Sequence, residues 1–233
     1  MAAPIILFAN TAGGTGKSIS AHAMAVASAE YGKKVLLIDA DPASTLTFLT
    51  GIENPRITVA ELLSKSASPD IAIMKSAERF SLIPNASRAY GVEGSWSWVS
   101  DAAEGFDLVI IDSASGPSIN LKILLDIANL VIIPVLNSFL SIRGALHIRD
   151  FLSARSQSPE ISLLPTQCAG LNSELTELVS EDFSILQPAI RFGEEVRESE
   201  SSMRSVLTTS PHSESASDYR EVTYSILESL SLL

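Results

Sequence analysis

Close to its start the chain reads Ile5-Ile-Leu-Phe8 and then Asn10-Thr-Ala-Gly-Gly-Thr-Gly-Lys-Ser18. Four apolar residues, a glycine-rich loop and a Lys-Ser pair opening a helix-length segment dictate one local structure: strand, tight turn, helix. Glycines at 13, 14 and 16 let the backbone wrap closely and aim its N–H groups inward at an anion. Lys17 can then reach the β- and γ-phosphates of a nucleotide, and the Ser18 hydroxyl can hold Mg²⁺. The helix starting near Lys17 adds its positive dipole end to the same anion. A plain turn between strand and helix has no need of a lysine there. The loop departs from the G-x-x-x-x-G-K-[ST] pattern at one place, since Thr11 stands where its first glycine belongs.

Short apolar runs recur after this first one, at residues 35–38, 80–83, 108–111, 130–135 and 161–164. None alternates, as expected of strands covered on both faces. Amphipathic stretches of helical length separate them, at residues 17–31, 118–127 and 138–156. This alternation predicts an α/β fold: a three-layer P-loop NTPase fold with a mostly parallel central sheet and helices on both faces. Ligands of such sheets bind at the carboxyl ends of the strands. Ser/Pro-rich stretches at 64–69 and 153–159 read as surface loops, and Pro134 as the stop of its strand. Residues 194–202 predict a short exposed helix, and residues 213–233 an amphipathic helix packed on the sheet.

With 233 residues, 46% of them hydrophobic, the chain suits one well-packed domain spanning residues 1–233. The single cysteine, Cys168, excludes an internal disulfide and fits a reducing compartment. The apolar runs are too short to span a bilayer, and the N-terminus lacks the pattern of a signal peptide, so a cytoplasmic location is expected. A formal charge of −11 argues against constitutive nucleic-acid binding.

Two further elements carry chemistry. The run Val35-Leu-Leu-Ile-Asp39-Ala-Asp41-Pro42 ends a strand with carboxylates at i and i+2, projecting from one side. Beside Mg²⁺ and a γ-phosphate, one can organise the metal's water shell while the other orients an attacking water. The simpler alternative is that both cap a helix starting near Ser44. Phe106-Asp-Leu-Val-Ile-Ile-Asp112 places another acid at a strand end, suited to hold Mg²⁺ through water, followed by the small-residue turn Ser113-Ala-Ser-Gly116.

Together with Ile133-Pro134-Val135 and Ser210-Pro-His-Ser-x-x-Ala216-x-x-Tyr219, these motifs span nearly the whole chain. In order and spacing the chain resembles the ParA/MinD family of deviant-Walker ATPases, and within it the partition branch. The resemblance implies ATP/ADP and Mg²⁺ as cofactors and a homodimer with ATP sandwiched at the interface. It also implies weak hydrolysis stimulated by a partner or adaptor protein, and the positioning of DNA or a protein assembly in a bacterial cell. By that match Gly13, Gly14, Thr15, Gly16, Lys17, Ser18 and Ile19 contact the nucleotide, and Pro188 lies along the adenine. Lys17 and Asp41 serve catalysis, with Asp41 orienting the water, while Ser18, Asp39 and Asp112 serve the metal.

One departure stands out. The family's loop carries a signature lysine that reaches the partner's phosphates, and here that position is Ala12. Binding through Lys17 survives this change, whereas the contact across the dimer loses a cation. Lys122 and Arg143 are the candidates to replace it. A non-hydrolysing, ATP-bound scaffold of the same fold is the alternative function, and a metabolic P-loop transferase is a third. For DNA, residues 190–233 hold four arginines (191, 197, 204 and 220) against eight acids, a poor footprint for phosphate neutralisation. Trp96 and Trp98 either pack a loop onto the domain or dock a partner. His22, His147 and His212 show no metal-site spacing.

Overall fold

The computed structural model describes residues 2–153, 155 and 158–233. Its elements follow in chain order as β1 (Ile5–Phe8), α1 (Lys17–Glu30), β2 (Val35–Asp39), α2 (Thr45–Leu49), α3 (Val59–Leu63), α4 (Pro69–Ala72), β3 (Met74–Lys75), β4 (Ser81–Ile83) and α5 (Trp98–Ala102). Then come β5 (Leu108–Asp112), α6 (Ile119–Ile127), β6 (Leu130–Val135), α7 (Phe139–Ser153), β7 (Glu160–Pro165), α8 (Ser173–Val179), β8 (Ser184–Ile185), α9 (Glu194–Ser201), α10 (Val206–Thr209) and α11 (Glu214–Ser229).

The strands form an eight-stranded sheet in the order β3-β4-β2-β5-β1-β6-β7-β8. All pairings are parallel except β3 with β4 at one edge. Every residue of β2, β5 and β6 is buried, which is why these runs do not alternate in polarity. Successive strand residues face opposite layers. Leu36, Ile38, Val109 and Ile111 pack with α3, α5, α6 and α7, whereas Val35, Leu37, Leu108 and Ile110 pack with α1, α10 and α11. The three-layer α/β architecture is thus the one expected.

Register brings the chemistry to one edge. Phe8 is level with Asp112, and Asp112 with Asp39, so three strand ends converge where the glycine loop leaves β1. Sequence limits shift at some elements. Helix α7 ends at Ser153, short of the expected 156; Ala154, Ser156 and Gln157, in that helix end and the 153–159 loop, lie outside the described residues. Pro69 begins α4 at its first turn, where a missing N–H costs nothing. Pro134 does not stop its strand: β6 runs on to Val135, paired with Pro165. Its missing N–H falls on the β1 side, past Phe8, where pairing with β1 has ended at Ile132.

Trp96 and Trp98 are buried, with ring centroids 5.3 Å apart. The Trp96 indole donates to Asn120 at 3.3 Å, so the pair packs its loop and offers no docking patch. Helix α11 is capped by Ser213, whose hydroxyl accepts from the Ala216 amide, and buries Tyr219, Val222, Ile226 and Leu227 against α1. Among the described residues no helix is long and apolar enough to cross a membrane.

Candidate active site

The loop between β1 and α1 is held from behind by α7. The Asn10 amide donates to Pro134 O at 2.9 Å and to Ser141 O at 3.3 Å, and its Oδ1 accepts from the Ala12 N–H at 2.8 Å. Thr11 Oγ1 donates to Gly144 O at 3.3 Å and lies 3.1 Å from His147 Nδ1. The approach is so close that a Cβ at Gly144 would sit 2.0 Å from Asn10 Oδ1 and 2.8 Å from Ala12 N. Thr166, at the end of β7, donates its hydroxyl to Thr15 O at 3.0 Å. Gly16 caps α1 in the left-handed region at φ 85°, a conformation that glycine adopts without strain.

Lys17 is 6% exposed. Its ammonium donates to Ser115 Oγ at 2.7 Å and to Ala12 O at 3.4 Å. Burial lowers its pKa, against the opposing pull of the Asp112 and Asp41 carboxylates. Asp112 is fully buried, and burial, reinforced by nearby Asp39, pushes its pKa well up. The Ser18 hydroxyl favours its charged form, yet neither carboxylate oxygen completes a hydrogen bond among the described residues. A buried carboxylate without a donor is costly, and a cation or its bound water relieves that cost.

Asp39 differs. Its Oδ1 accepts from the Asp41 amide at 3.0 Å, and its Oδ2 accepts from the Thr47 amide at 2.8 Å and the Thr47 hydroxyl at 2.6 Å. Burial still raises its pKa to about 7. Asp39 therefore ties down the first turn of α2 through the Thr47 amide and hydroxyl, as the capping alternative expected, whereas Asp41 accepts from Ala43, ahead of the helix. The Asp41 carboxylate accepts from the Ala43 amide at 2.8 Å and lines a groove of about 620 Å³ with Ser113, Ser115 and Ile119.

Lys17, Ser18, Asp41 and Asp112 thus come together, with Gly13 and Gly14 exposed beside them and Thr15 buried beneath. Among the described residues no group of three His, Cys, Asp or Glu side chains could hold a metal ion alone. The site fits Mg²⁺ in another way: one hydroxyl and a free carboxylate leave most positions to water and phosphate oxygens, as that ion prefers.

Ile19 and Gly16 line a second cavity, of about 130 Å³, on the other side of the loop. Its far wall is Ile190, Arg191, Phe192 and Gly193; Pro188 is half-buried and does not line it. Of the candidate cations, Lys122 sits over the Phe151 ring at 5.4 Å. Arg143 is exposed, adjacent to Gly144 at the loop's back. Sequence reading missed Asn10, Gly144 and Thr166, whose partners lie more than a hundred residues away; a helical glycine amid larger side chains was the one available signal.

Residues 3–163 match the family described as AAA domain. The chain is 32% identical over 152 residues to an uncharacterised ATP-binding protein of Methanocaldococcus jannaschii, covering 63% of this chain and 58% of that protein. It is 30% identical over 145 residues to the chromosome-partitioning ATPase Soj of Thermus thermophilus, covering 60% of this chain and 57% of that one. The chain thus spans less than two thirds of the length of either relative. The structure of the cell division ATPase MinD from Pyrococcus furiosus superposes with a TM-score of 0.83 at 19% identity, over 97% of this chain and 99% of that one. At that identity the likeness is one of fold.

Proposed function

Since this chain belongs to the ParA/MinD family of P-loop ATPases, we propose that it is an ATP-dependent dimerising switch that positions cargo in a bacterial cell. The observation that carries the reading is buried Lys17 beside a buried Asp112 whose oxygens have no hydrogen-bond partner among the described residues, at the mouth of a glycine loop. Both are costly in isolation, and a triphosphate with its cation satisfies both. In this reading the amides of Gly13 to Lys17 and the Lys17 ammonium bind the phosphates. Ser18 ligates Mg²⁺, and Asp112, with Asp39 behind it, holds the metal's waters. The bound metal supplies charge neutralisation at the β- and γ-phosphates. Asp41, on the open groove, orients the attacking water.

Apolar side chains at the same edge support a face-to-face homodimer. Phe139 and Leu140 are 58% and 74% exposed just before Ser141, and Tyr90 and Ile119 are 65% and 46% exposed on the groove shared with Asp41. In this reading Arg143, exposed on α7, is the cation that crosses that interface in lieu of a lysine at Ala12. Cargo positioning follows the chromosome-partitioning relative, and a stimulating adaptor and a cytoplasmic, nucleoid-associated location complete the same proposal. Binding of nonspecific DNA is the least supported part. Arg191 and Arg220 are engaged by Asp218, Glu214 and Glu30, which leaves Arg197 and Arg204 in the acidic last segment.

Ala12 favours a second reading, in which ATP is retained as a structural ligand and never cleaved. Measuring phosphate release beside the nucleotide retained after purification separates the two. The switch predicts slow, Mg²⁺-dependent release, abolished in Asp41→Ala with a longer lifetime of bound ATP. If Asp41→Ala alters neither turnover nor lifetime, the switch reading fails, and a parent protein that retains ATP while releasing no phosphate is the scaffold.

A further inference from the structure

We propose that Thr47 is a positioning residue for ATP hydrolysis: its hydroxyl fixes Asp39, and Asp39 fixes the backbone from which Asp41 reaches the attacking water. The assignment rests on the switch reading above and adds to it a residue outside the glycine loop and the acid-bearing strand ends.

Asp39 is the hub of the turn between β2 and α2. Its Oδ1 accepts from the Asp41 amide at 3.0 Å, while Oδ2 accepts from the amide and the hydroxyl of Thr47, at 2.8 and 2.6 Å. Ser44, the residue at the N-cap of α2, gives no side-chain cap, so the Asp39 carboxylate takes that place. The Thr47 amide alone is enough for the cap. The hydroxyl bond is therefore surplus to the helix, and its effect falls on the carboxylate, which has donors on both oxygens and no freedom to turn.

The direction of that hydroxyl is itself fixed. The Asn85 amide, just past the end of β4, donates to Thr47 Oγ1 at 2.9 Å. A hydroxyl has one hydrogen, and with a lone pair facing Asn85 that hydrogen is left for Asp39. Asp39 is fully buried, and Thr47 and Asn85 are 2% and 1% exposed, so bulk solvent does not reach them to take over either bond. Asp41, by contrast, is half-buried on the open groove. Its main chain is held from the buried side by Asp39, and its carboxylate from the outer side by the Ala43 amide. Misplacing an aligned group by about 1 Å costs up to about a hundredfold in rate. The phosphate contacts belong to the glycine loop and Lys17, none of which bonds Thr47, so affinity is untouched.

The test measures turnover and Mg·ATP affinity in the full chain for two variants. Thr47→Val keeps the shape of the side chain without its hydroxyl, and Thr47→Ser keeps the hydroxyl. Thr47→Val should lower kcat about tenfold with affinity within about twofold of the parent, and Thr47→Ser should recover most of that turnover. A merely structural role gives no such split. Should Thr47→Val fail to fold, Thr47→Cys, whose thiol is a weak donor, should lower kcat several-fold at parental affinity. Parental kcat in the valine or cysteine variant, equal losses of kcat and affinity, or a serine variant as slow as the valine one overturns the assignment while the switch reading stands. A parent protein that releases no phosphate removes the switch reading itself, and the assignment with it.

Discussion

Lys17 is a residue whose burial works against the stability of the fold. An ammonium almost withdrawn from water, with its pKa lowered by burial, gains only Ser115 and one carbonyl in return. Lys17→Met is therefore expected to leave the melting temperature of the ligand-free protein unchanged or higher, because it removes a buried charge of similar shape. The shift in melting temperature on adding Mg·ATP should vanish in the same variant. Thermal melts with and without nucleotide check both halves, and a ligand-free protein that melts markedly lower refutes the argument. That Lys17, Ser18, Asp41 and Asp112 would gather at one edge of the sheet was legible in sequence, because each stands at or just past a strand end marked by an apolar run a few positions away. That Asp39 is satisfied and Asp112 is not was illegible, since both end apolar strands in the same way.

Among elements, α7 acts through what it lacks. Gly144 is the point at which a helix backs directly onto the loop, and a methyl group there meets Asn10 Oδ1 at 2.0 Å. Gly144→Ala should cost about 1–3 kcal/mol by overpacking and should weaken nucleotide binding, since the displaced atoms belong to the loop. Denaturant melts and ATP titrations measure the two effects, and a variant with parental values in both would show that the loop is free of the helix. In the same layer but towards the opposite edge of the sheet, α3 opens with a capping box in which the Thr58 amide donates to Glu61 Oε2 at 2.8 Å, and Arg88 Nε donates to Glu61 Oε1 at 2.9 Å. Burial alone would raise the Glu61 carboxyl, but donors from Arg88 and Thr58 outweigh it and hold the pKa at about 2. A carboxyl so depressed stabilises the fold above its ordinary value of 4.5, and that contribution fades as the pH falls towards about 2. Glu61→Ala should thus cost about 1 kcal/mol near neutrality, with the gap to the parent narrowing through that acid window in melts against pH. The edge strands β3 and β8, two residues each, were invisible in sequence because runs so short carry no period.

For the molecule as a whole, exposed apolar residues around the loop and the charge of the last segment make opposite predictions about partners. With Mg·ATP the protein should elute or scatter as a dimer, and Leu140→Asp should hold it monomeric while leaving ATP binding by the monomer intact. Arg143→Ala should slow turnover more than it weakens binding. DNA binding should be weak, and lost at physiological salt, because few arginines are free to neutralise phosphates. Tight DNA binding at 150 mM salt, about the physiological ionic strength, would sink that expectation. The Arg143 prediction falls if turnover is unchanged.

By itself the sequence determined the strand–loop–helix phosphate cradle, the parallel three-layer fold and the family. Each rests on local spacing, apolar periodicity and glycine content, all of which act between near neighbours. Tertiary structure alone decided that α7 supports the loop through Gly144, that Lys122 lies over Phe151 while Arg143 faces solvent, and that the cavity beside Ile19 is walled by Ile190 to Gly193. These depend on which helix faces lie together once the sheet is assembled, and no spacing within a single segment encodes that.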